Sequence, residues 1–359
     1  MYKRQEYLRE WISREGYIAF IPNDAILPRE SSISQRPLKN ATRFKSPKSM
    51  EIRVKLPSGK IVSGMAIPKG VVVITGGAYH GKTTLLNSIQ DGIYNHVEGD
   101  GREYLVSLKN TVTIRAEDGR IVNHVDISNF IGTLPGNINT EDFTTLNASG
   151  STSMAASISE ALELNVSTLL IDEDTSATNL LFKDDVMDKL TPEDPIKPLS
   201  GLVKRITVST NTSIVIISSA SSTFLPLADK VIKISNYLPQ DITNELGKFI
   251  ARDINVSTNE LKPIRERVFY GVKNLKKVKA SGYKLRFNYV DGATFEIDLK
   301  LNPRIVEVGQ VRLLALIIKE LARMGKSMLM QEVVKYVNSK LESEGFKAFT
   351  KVVPPDLTV

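Results

Sequence analysis

The sequence predicts an α/β fold built on a mostly parallel sheet, and three observations carry that expectation. Four short apolar runs, Val71–Thr75, Ser167–Ile171, Ser213–Ile217 and Val231–Ile234, read as strands buried on both faces. Segments with helical spacing lie between them, notably Thr83–Ile93 and Ser151–Leu164. The first apolar run ends in a glycine-rich loop that leads straight into a helix, the order expected of a parallel α/β core.

The elements follow in order. Tyr2-Lys3-Arg4-Gln5 resembles a translated sequencing adapter, so residues 1–5 are set aside from the fold. Residues 22–50 are rich in Pro, Ser, Arg and Lys and read as extended and irregular. Residues 51–56 and 61–67 alternate around Pro57-Ser58-Gly59-Lys60, a hairpin pattern. After the first strand and helix, Thr111–Arg115 and Ile121–Val125 read as short strands about a turn at Glu117-Asp118-Gly119. In Ser151–Leu164 the apolar positions are Met154, Ala155, Ile158, Ala161 and Leu162. Beyond residue 248, Lys284–Val290 and Thr294–Leu299 form a hairpin across Asp291-Gly292, and Val311–Ala322 and Leu329–Leu341 read as helices. The expected organisation is a basic N-terminal segment (1–59), an α/β core (60–247) and a small α+β module (248–359).

Composition excludes several classes. The chain of 359 residues is 42% hydrophobic and 24% charged, an ordinary globular balance. It has no cysteine and three histidines, which removes disulfides, thiol catalysis and cysteine-ligated zinc. No apolar run is long enough to span a bilayer, and the charged start does not resemble a signal region. A cytoplasmic location without membrane partners is the expectation. Residues 1–70 hold 14 Lys/Arg against 6 Asp/Glu, residues 71–247 hold 12 against 22, and residues 248–359 hold 21 against 12. Basic flanks around an acidic centre suit contact with phosphate backbones, or else a solubilising surface.

The loop Gly76-Gly77-Ala78-Tyr79-His80-Gly81-Lys82-Thr83 fits G-x-x-x-x-G-K-[ST] between a strand and a helix. Its glycines let backbone N–H groups curl around phosphates, and the helix start adds its positive dipole end. In this pattern Lys82 reaches the β- and γ-phosphates and Thr83 ligates Mg²⁺, with Thr84 next to them. About ninety residues later, Leu169-Leu170-Ile171-Asp172-Glu173 delivers two adjacent carboxylates at a strand's C-terminal end, where ligands gather in open sheets. Asp172 is placed to hold the metal and Glu173 to polarise an attacking water. Asn147-Ala148-Ser149-Gly150-Ser151-Thr152 precedes a helix, and Ser151 could equally be a plain helix cap.

These motifs resemble the ABC ATPases. Ser149-Gly150 matches their Ser-Gly signature loop, and Ser176-Ala177 matches the opening of their D-loop. The likeness is most specific to the predicted ABC-class ATPases of bacteria and archaea, which lie outside the transporters. It runs through Ile26-Leu27-Pro28-Arg29, Tyr94-Asn95-His96, Gly99-Asp100-Gly101-Arg102-Glu103, Arg115 to Arg120, Asp126-Ile127-Ser128 and Ile171 to Asn179. The resemblance implies a P-loop NTPase of ABC type that uses ATP and Mg²⁺, with Ser149, Gly150 and Ser151 closing the partner's site in a homodimer. It also implies a protein longer at both ends than this chain. Two features depart from the ABC pattern. Ser218-Ser219 stand where a switch histidine is expected, and no glutamine lies between Gln90 and the signature. Asn129 or Asp126 is the candidate replacement for that glutamine.

Other residues admit two readings. Arg102 and Arg115 read as surface arginines, or as phosphate contacts. Tyr79 and His80 touch nucleotide or partner, or only pack. Phe44 stacks an adenine ring or joins the core. Lys273, Lys276, Lys277, Lys279, Lys284 and Arg286 surround Tyr283 and Phe287, an interleaving that suits single-stranded nucleic acid, RNA first. Arg36, Lys39, Arg43, Lys45 and Lys48 form a second basic group. The reading is thus an ATP-driven dimeric clamp on nucleic acid. The alternatives are a slow ATP-controlled nucleic-acid-binding switch and a transporter's ATPase subunit.

Overall fold

The structure is a computed structural model that describes residues 2–31, 34–250 and 260–358. Ser32 and Ile33 of the extended segment, and residues 251–259 of the expected C-terminal module, lie outside the described residues. The chain forms two compact units, Met1–Ile264 and Arg265–Val359.

The first unit opens with α1 (Tyr2–Arg14), then β1 (Tyr17–Pro22), β2 (Glu51–Lys55), β3 (Ile61–Pro68), β4 (Val71–Gly76) and α2 (Lys82–Asp91). It continues through β5 (Val106–Ser107), β6 (Thr111–Ile114), β7 (Arg120–Val125), β8 (Phe143–Ala148), α3 (Gly150–Glu163) and β9 (Thr168–Asp172). Short helices α4 (Thr178–Leu181), α5 (Asp185–Leu190) and α6 (Val203–Thr210) precede β10 (Ser213–Ile217), β11 (Lys230–Ser235) and β12 (Leu238–Asp241).

The central sheet has the order β12-β11-β4-β10-β9-β6 and is parallel except where β12 returns against β11. Its strands are apolar throughout because both faces are covered. Val71, Val73, Ile214, Ile216, Leu169 and Ile171 enter one core with α3 and α6. Val72, Ile74, Val215, Ile217 and Leu170 enter the other with α1 and α2. The two-residue period of a strand makes that division.

A second, antiparallel sheet of order β2-β3-β1-β5 closes over the α2 side. Leu8, Ile12 and Phe20 share a core with Ile74 and Leu85, so the first 59 residues pack directly on the central sheet's covering layer. Gln5, outside the fold in the sequence reading, is fully buried, and its amide donates to the carbonyls of His96 (2.8 Å) and Glu103 (2.6 Å). It is part of the fold.

The second unit holds the small β13 (Val268–Phe269), a meander of β14 (Leu275–Ser281), β15 (Lys284–Tyr289) and β16 (Thr294–Asp298), then α7 (Val308–Arg323), β17 (Met328–Leu329) and α8 (Met330–Glu344). Leu285 and Phe287 face Val311 and Ala315 of α7. A separate cluster joins Leu313, Ile317 and Leu321 to Val333 of α8.

Candidate nucleotide site

The glycine-rich loop starts where β4 leaves the sheet beside β11. Gly76 has φ +135°, and a Cβ there would sit 2.2 Å from the Ile234 carbonyl oxygen. Only glycine fits so close a backbone approach. Gly81, at φ +97°, ends the loop as the residue before α2. Tyr79 adopts φ +63° and is 96% exposed, so the loop holds a large aromatic in a left-handed conformation with no packing in this chain to repay it.

Lys82 is buried, and its Nζ donates to the carbonyls of Gly76 (2.9 Å) and Gly77 (2.8 Å). The hydroxyl of Thr83 donates to Oδ2 of Asp172 at 3.0 Å. Asp172 is 4% exposed, because β9 carries it between β10 and β6, and its other oxygen accepts from Asp174 N at 3.2 Å. Glu173 follows immediately. Its Oε2 accepts the backbone N–H of Ser219 (2.7 Å) and of Ala220 (3.1 Å) from the segment after β10. Lys82, Thr83, Asp172 and Glu173 therefore gather at the C-terminal ends of β4, β9 and β10.

Ser149 is the N-cap of α3, its hydroxyl accepting from Thr152 N, so the capping role belongs to Ser149 rather than Ser151. Ser151 instead donates to Oδ1 of Asn179 at 2.9 Å, tying the start of α3 to the segment that follows Glu173. Gly150 is hemmed in at ordinary contact distance, where a Cβ would meet Asp118, Ala116 and Ala177 at 3.4 to 3.9 Å. Among the described residues, no hydrogen bond links Ser149, Gly150 or Ser151 to residues 76–84 of the same chain.

A cavity of about 270 Å³ opens beside the loop. Gly81 and Thr84 form one wall, while Leu27, Pro28, Phe44 and Tyr237 contribute others. Phe44 thus packs in the core, at 4% exposed, and also borders this cavity. His80 accepts from Asn236 N through Nδ1 at 3.4 Å.

Several expectations need correction. Arg102 is not a surface arginine. It is 3% exposed and bonds Asp91 (2.7 Å) and Asp100 (2.9 Å). Asp100 also takes Arg29 (3.0 Å) and His96 (3.0 Å). Burial alone would raise the Asp100 pKa, but hydrogen bonds and positive charge from His96 and Arg102 outweigh it and hold the carboxyl well below its ordinary value. Glu103 accepts from Gly99 N (2.9 Å) and Gly101 N (3.1 Å), so this stretch is folded on itself. Asn129 does not stand free as a glutamine substitute. Its amide is spent on the backbone of Lys262, accepting at 2.8 Å and donating at 3.3 Å. Asp126 accepts from Ser128 N at 2.9 Å.

In the second unit, Lys277, Lys279, Lys284 and Arg286 lie exposed on β14 and β15, and Lys284 and Arg286 pair with Glu296. Phe287 points the other way and is 7% exposed against α7, and Tyr283 packs partly buried in the same cluster. The interleaving of aromatic and basic residues seen in sequence is the alternation of a one-sided sheet, and Phe287 is not offered for base stacking.

A family model described as ABC_ATPase, P-loop domain, matches residues 1–268. An uncharacterized protein of Methanocaldococcus jannaschii is 31% identical over 261 residues, covering 68% of this chain. This chain spans about 57% of that relative's length. The solved structure of cbiO1 from Clostridium perfringens, described as part of an ABC transporter complex, aligns with a TM-score of 0.39 and 15% identity. That alignment covers 65% of this chain and 92% of cbiO1. Among the described residues no helix is long and apolar enough to cross a membrane.

Proposed function

This chain belongs to the ABC_ATPase P-loop family, and on that premise we propose that it binds MgATP at Gly76–Thr84 and hydrolyses it. The observation that carries the reading is the Thr83–Asp172 contact at 3.0 Å, with Lys82 and Glu173 on either side. A hydroxyl and a carboxylate oxygen so placed would supply two donors to a magnesium ion, with phosphate oxygens and water supplying the rest. Thr83 and Asp172 would hold Mg²⁺, which would offset the charge of the β- and γ-phosphates. Lys82 exchanges the carbonyls of Gly76 and Gly77 for phosphate oxygens. Glu173 orients water for attack. Ser149, Gly150 and Ser151, remote in hydrogen bonding from their own loop, close the site of a second copy.

The test is phosphate release by purified protein with Mg²⁺, beside Lys82→Ala. Turnover that needs Lys82 supports the reading. ATP bound without turnover would instead favour a switch, and no ATP binding would remove the site.

The nucleobase is assigned to the cavity at Gly81 and Thr84. Ala41 also lines it. Ala41→Trp fills the space and is expected to raise the KM for ATP about tenfold or more, the scale of a lost hydrophobic subsite, while inorganic triphosphate binding is unchanged. Equal weakening of both ligands would place the base elsewhere.

The partner we favour is RNA, held on the exposed face of β14 and β15. Lys277 has its pKa lowered by the charge of Lys279, a crowding of like charge that an anion relieves. Since Phe287 is turned inward, contact there is to phosphates. Lys277→Glu with Lys279→Glu is therefore expected to weaken RNA binding for every sequence alike. The slope of log K against log salt should fall by about 0.7 for each phosphate that the variant no longer neutralises. An unchanged slope would exclude this face.

A further inference from the structure

The proposed base, Glu173, is held by backbone rather than by a side chain. Two consecutive N–H groups, of Ser219 and Ala220, converge on one carboxylate oxygen at 2.7 and 3.1 Å. Successive N–H groups aimed at one point form a small anion-binding nest. Hydrogen bonds to a charged acceptor are the stronger kind. The other oxygen, Oε1, has no hydrogen bond to any described residue.

The nest is itself anchored. Ser218 is 2% exposed, and its N–H donates to the Ile74 carbonyl at 2.9 Å, extending the pairing of β10 with β4. Its hydroxyl donates to the Ser221 carbonyl at 2.7 Å, and the Ser221 and Thr223 hydroxyls share a further bond at 2.7 Å. The turn that carries Ser219 and Ala220 is thus fastened to the strand that leads into the glycine-rich loop.

We propose that the Ser219–Ala220 backbone nest is the positioning group for Glu173. It fixes Oε2 and leaves Oε1 to face the attacking water, so this chain needs no imidazole at the end of β10. The inference rests on the reading of Glu173 as the base. Ser218 is a positioning residue through the turn, and Ser219 contributes its N–H rather than its hydroxyl. A loosely held carboxylate sweeps many rotamers, and misplacement of a catalytic group by about 1 Å costs on the order of 100-fold in rate.

Two measurements test the proposal. The first is kinetic. Ser219→Pro and Ala220→Pro each delete one donor. Each is expected to lower kcat about 10- to 100-fold with ATP affinity unchanged. Ser219→Ala, which keeps the N–H, restores turnover relative to Ser219→Pro. Ser218→Ala falls between, and Ser218→Thr rescues it. The second needs neither turnover nor a proline variant. In wild type labelled with ¹⁵N at Ser and Ala, the amide protons of 219 and 220 should move upfield in Glu173→Ala. Unmoved amide protons overturn the proposal. So do proline variants that bind ATP and turn over at the wild-type rate, or a Ser219→Ala variant as impaired as Ser219→Pro. Failure of the base reading looks different: Glu173→Gln would then leave turnover intact while the amide shifts still respond.

Discussion

Glu173→Gln is expected to lower steady-state ATP turnover about 10²- to 10⁴-fold, the usual worth of a general base, while ATP stays bound. Glutamine preserves the length of the side chain, and its carbonyl oxygen can still accept from Ser219 and Ala220, whose N–H groups meet Oε2 in the wild type. The geometry is kept and the basicity is lost. Asp172 and Thr83 are untouched, so the metal position and the glycine-rich loop remain. The loss should therefore fall on kcat rather than on binding. Lys82→Ala is the useful contrast. Lys82 is the one lysine or arginine in the loop itself, and its removal takes charge from both ground and transition states, so affinity and turnover fall together. Phosphate release and equilibrium binding of a fluorescent ATP analogue, measured on the same preparations, separate the two patterns. Turnover in Glu173→Gln within about threefold of wild type, well short of the loss that removing a base brings, would mean that another group orients the water. If ATP binding also persists as a closed state, the same variant should reveal a dimer by light scattering, since hydrolysis no longer reopens it.

The chemistry-bearing core was legible because each part has a local signature. The strand Val71–Gly76 is apolar at every buried position, and the loop after it has glycines where φ is positive. Asp172 could be placed at a strand end from Leu169-Leu170-Ile171 alone. The fold of the first 50 residues was not legible in this way. In α1, Leu8 and Ile12 face the core, but Lys3, Arg4, Glu6, Arg9 and Glu10 stand among them and hide the apolar stripe. Arg9 is itself 5% exposed, donating to the Ser107 and Gly92 carbonyls, so composition gave the wrong sign for its burial. The strand Phe143–Ala148 is hidden for the opposite reason. Among the described residues it pairs only with Arg120–Val125, and Thr144, Leu146 and Asn147 are exposed while only Phe143 and Ala148 at its two ends are buried, so it lacks the alternation that marks a half-buried strand. Ser219 and Ala220 act through backbone atoms, which leave no trace in residue type. The family resemblance singles out Ile26–Arg29, Tyr94–His96 and Gly99–Glu103 without saying why they travel together. One charged residue of each of the first two stretches, Arg29 and His96, meets Asp100 and Arg102 of the third in one buried ion network, a long-range fact that no window of sequence contains.

That network gives the largest expected effect on stability. Asp100→Asn is expected to destabilise the first unit by about 3 kcal/mol or more, the cost of breaking a buried ion pair from one side. The carboxylate receives Arg29 and His96 at 3.0 Å and Arg102 at 2.9 Å, with only 10% of its side chain exposed. Asparagine keeps the volume but removes the charge, and its amide presents donors to groups that are themselves donors. Arg102 retains Asp91 at 2.7 Å, whereas Arg29 keeps only neutral acceptors, among them the carbonyls of Ile26 and Leu27. Arg29 ties the extended segment 22–50 to Asp100, beside the Ile26 N–H bond to the Gly101 carbonyl, and Leu27, Pro28 and Phe44 of that segment wall the cavity beside Gly81. Loss of the pin should therefore also weaken ATP binding without any change at Lys82. The pH dependence follows from the depressed Asp100 pKa. A carboxyl whose folded pKa lies below its unfolded value contributes stability that is fully present above the unfolded value, near pH 4, and is lost as pH falls through the folded value. Between pH 5 and 8 the gap between wild type and Asp100→Asn should stay constant, and it should narrow only below about pH 4. Thermal unfolding across that range reads both effects, since each kcal/mol moves the midpoint by roughly 2–4 °C in a domain of this size. A gap that closes already near pH 6 would mean that the Asp100 carboxylate is not the group that sets this dependence.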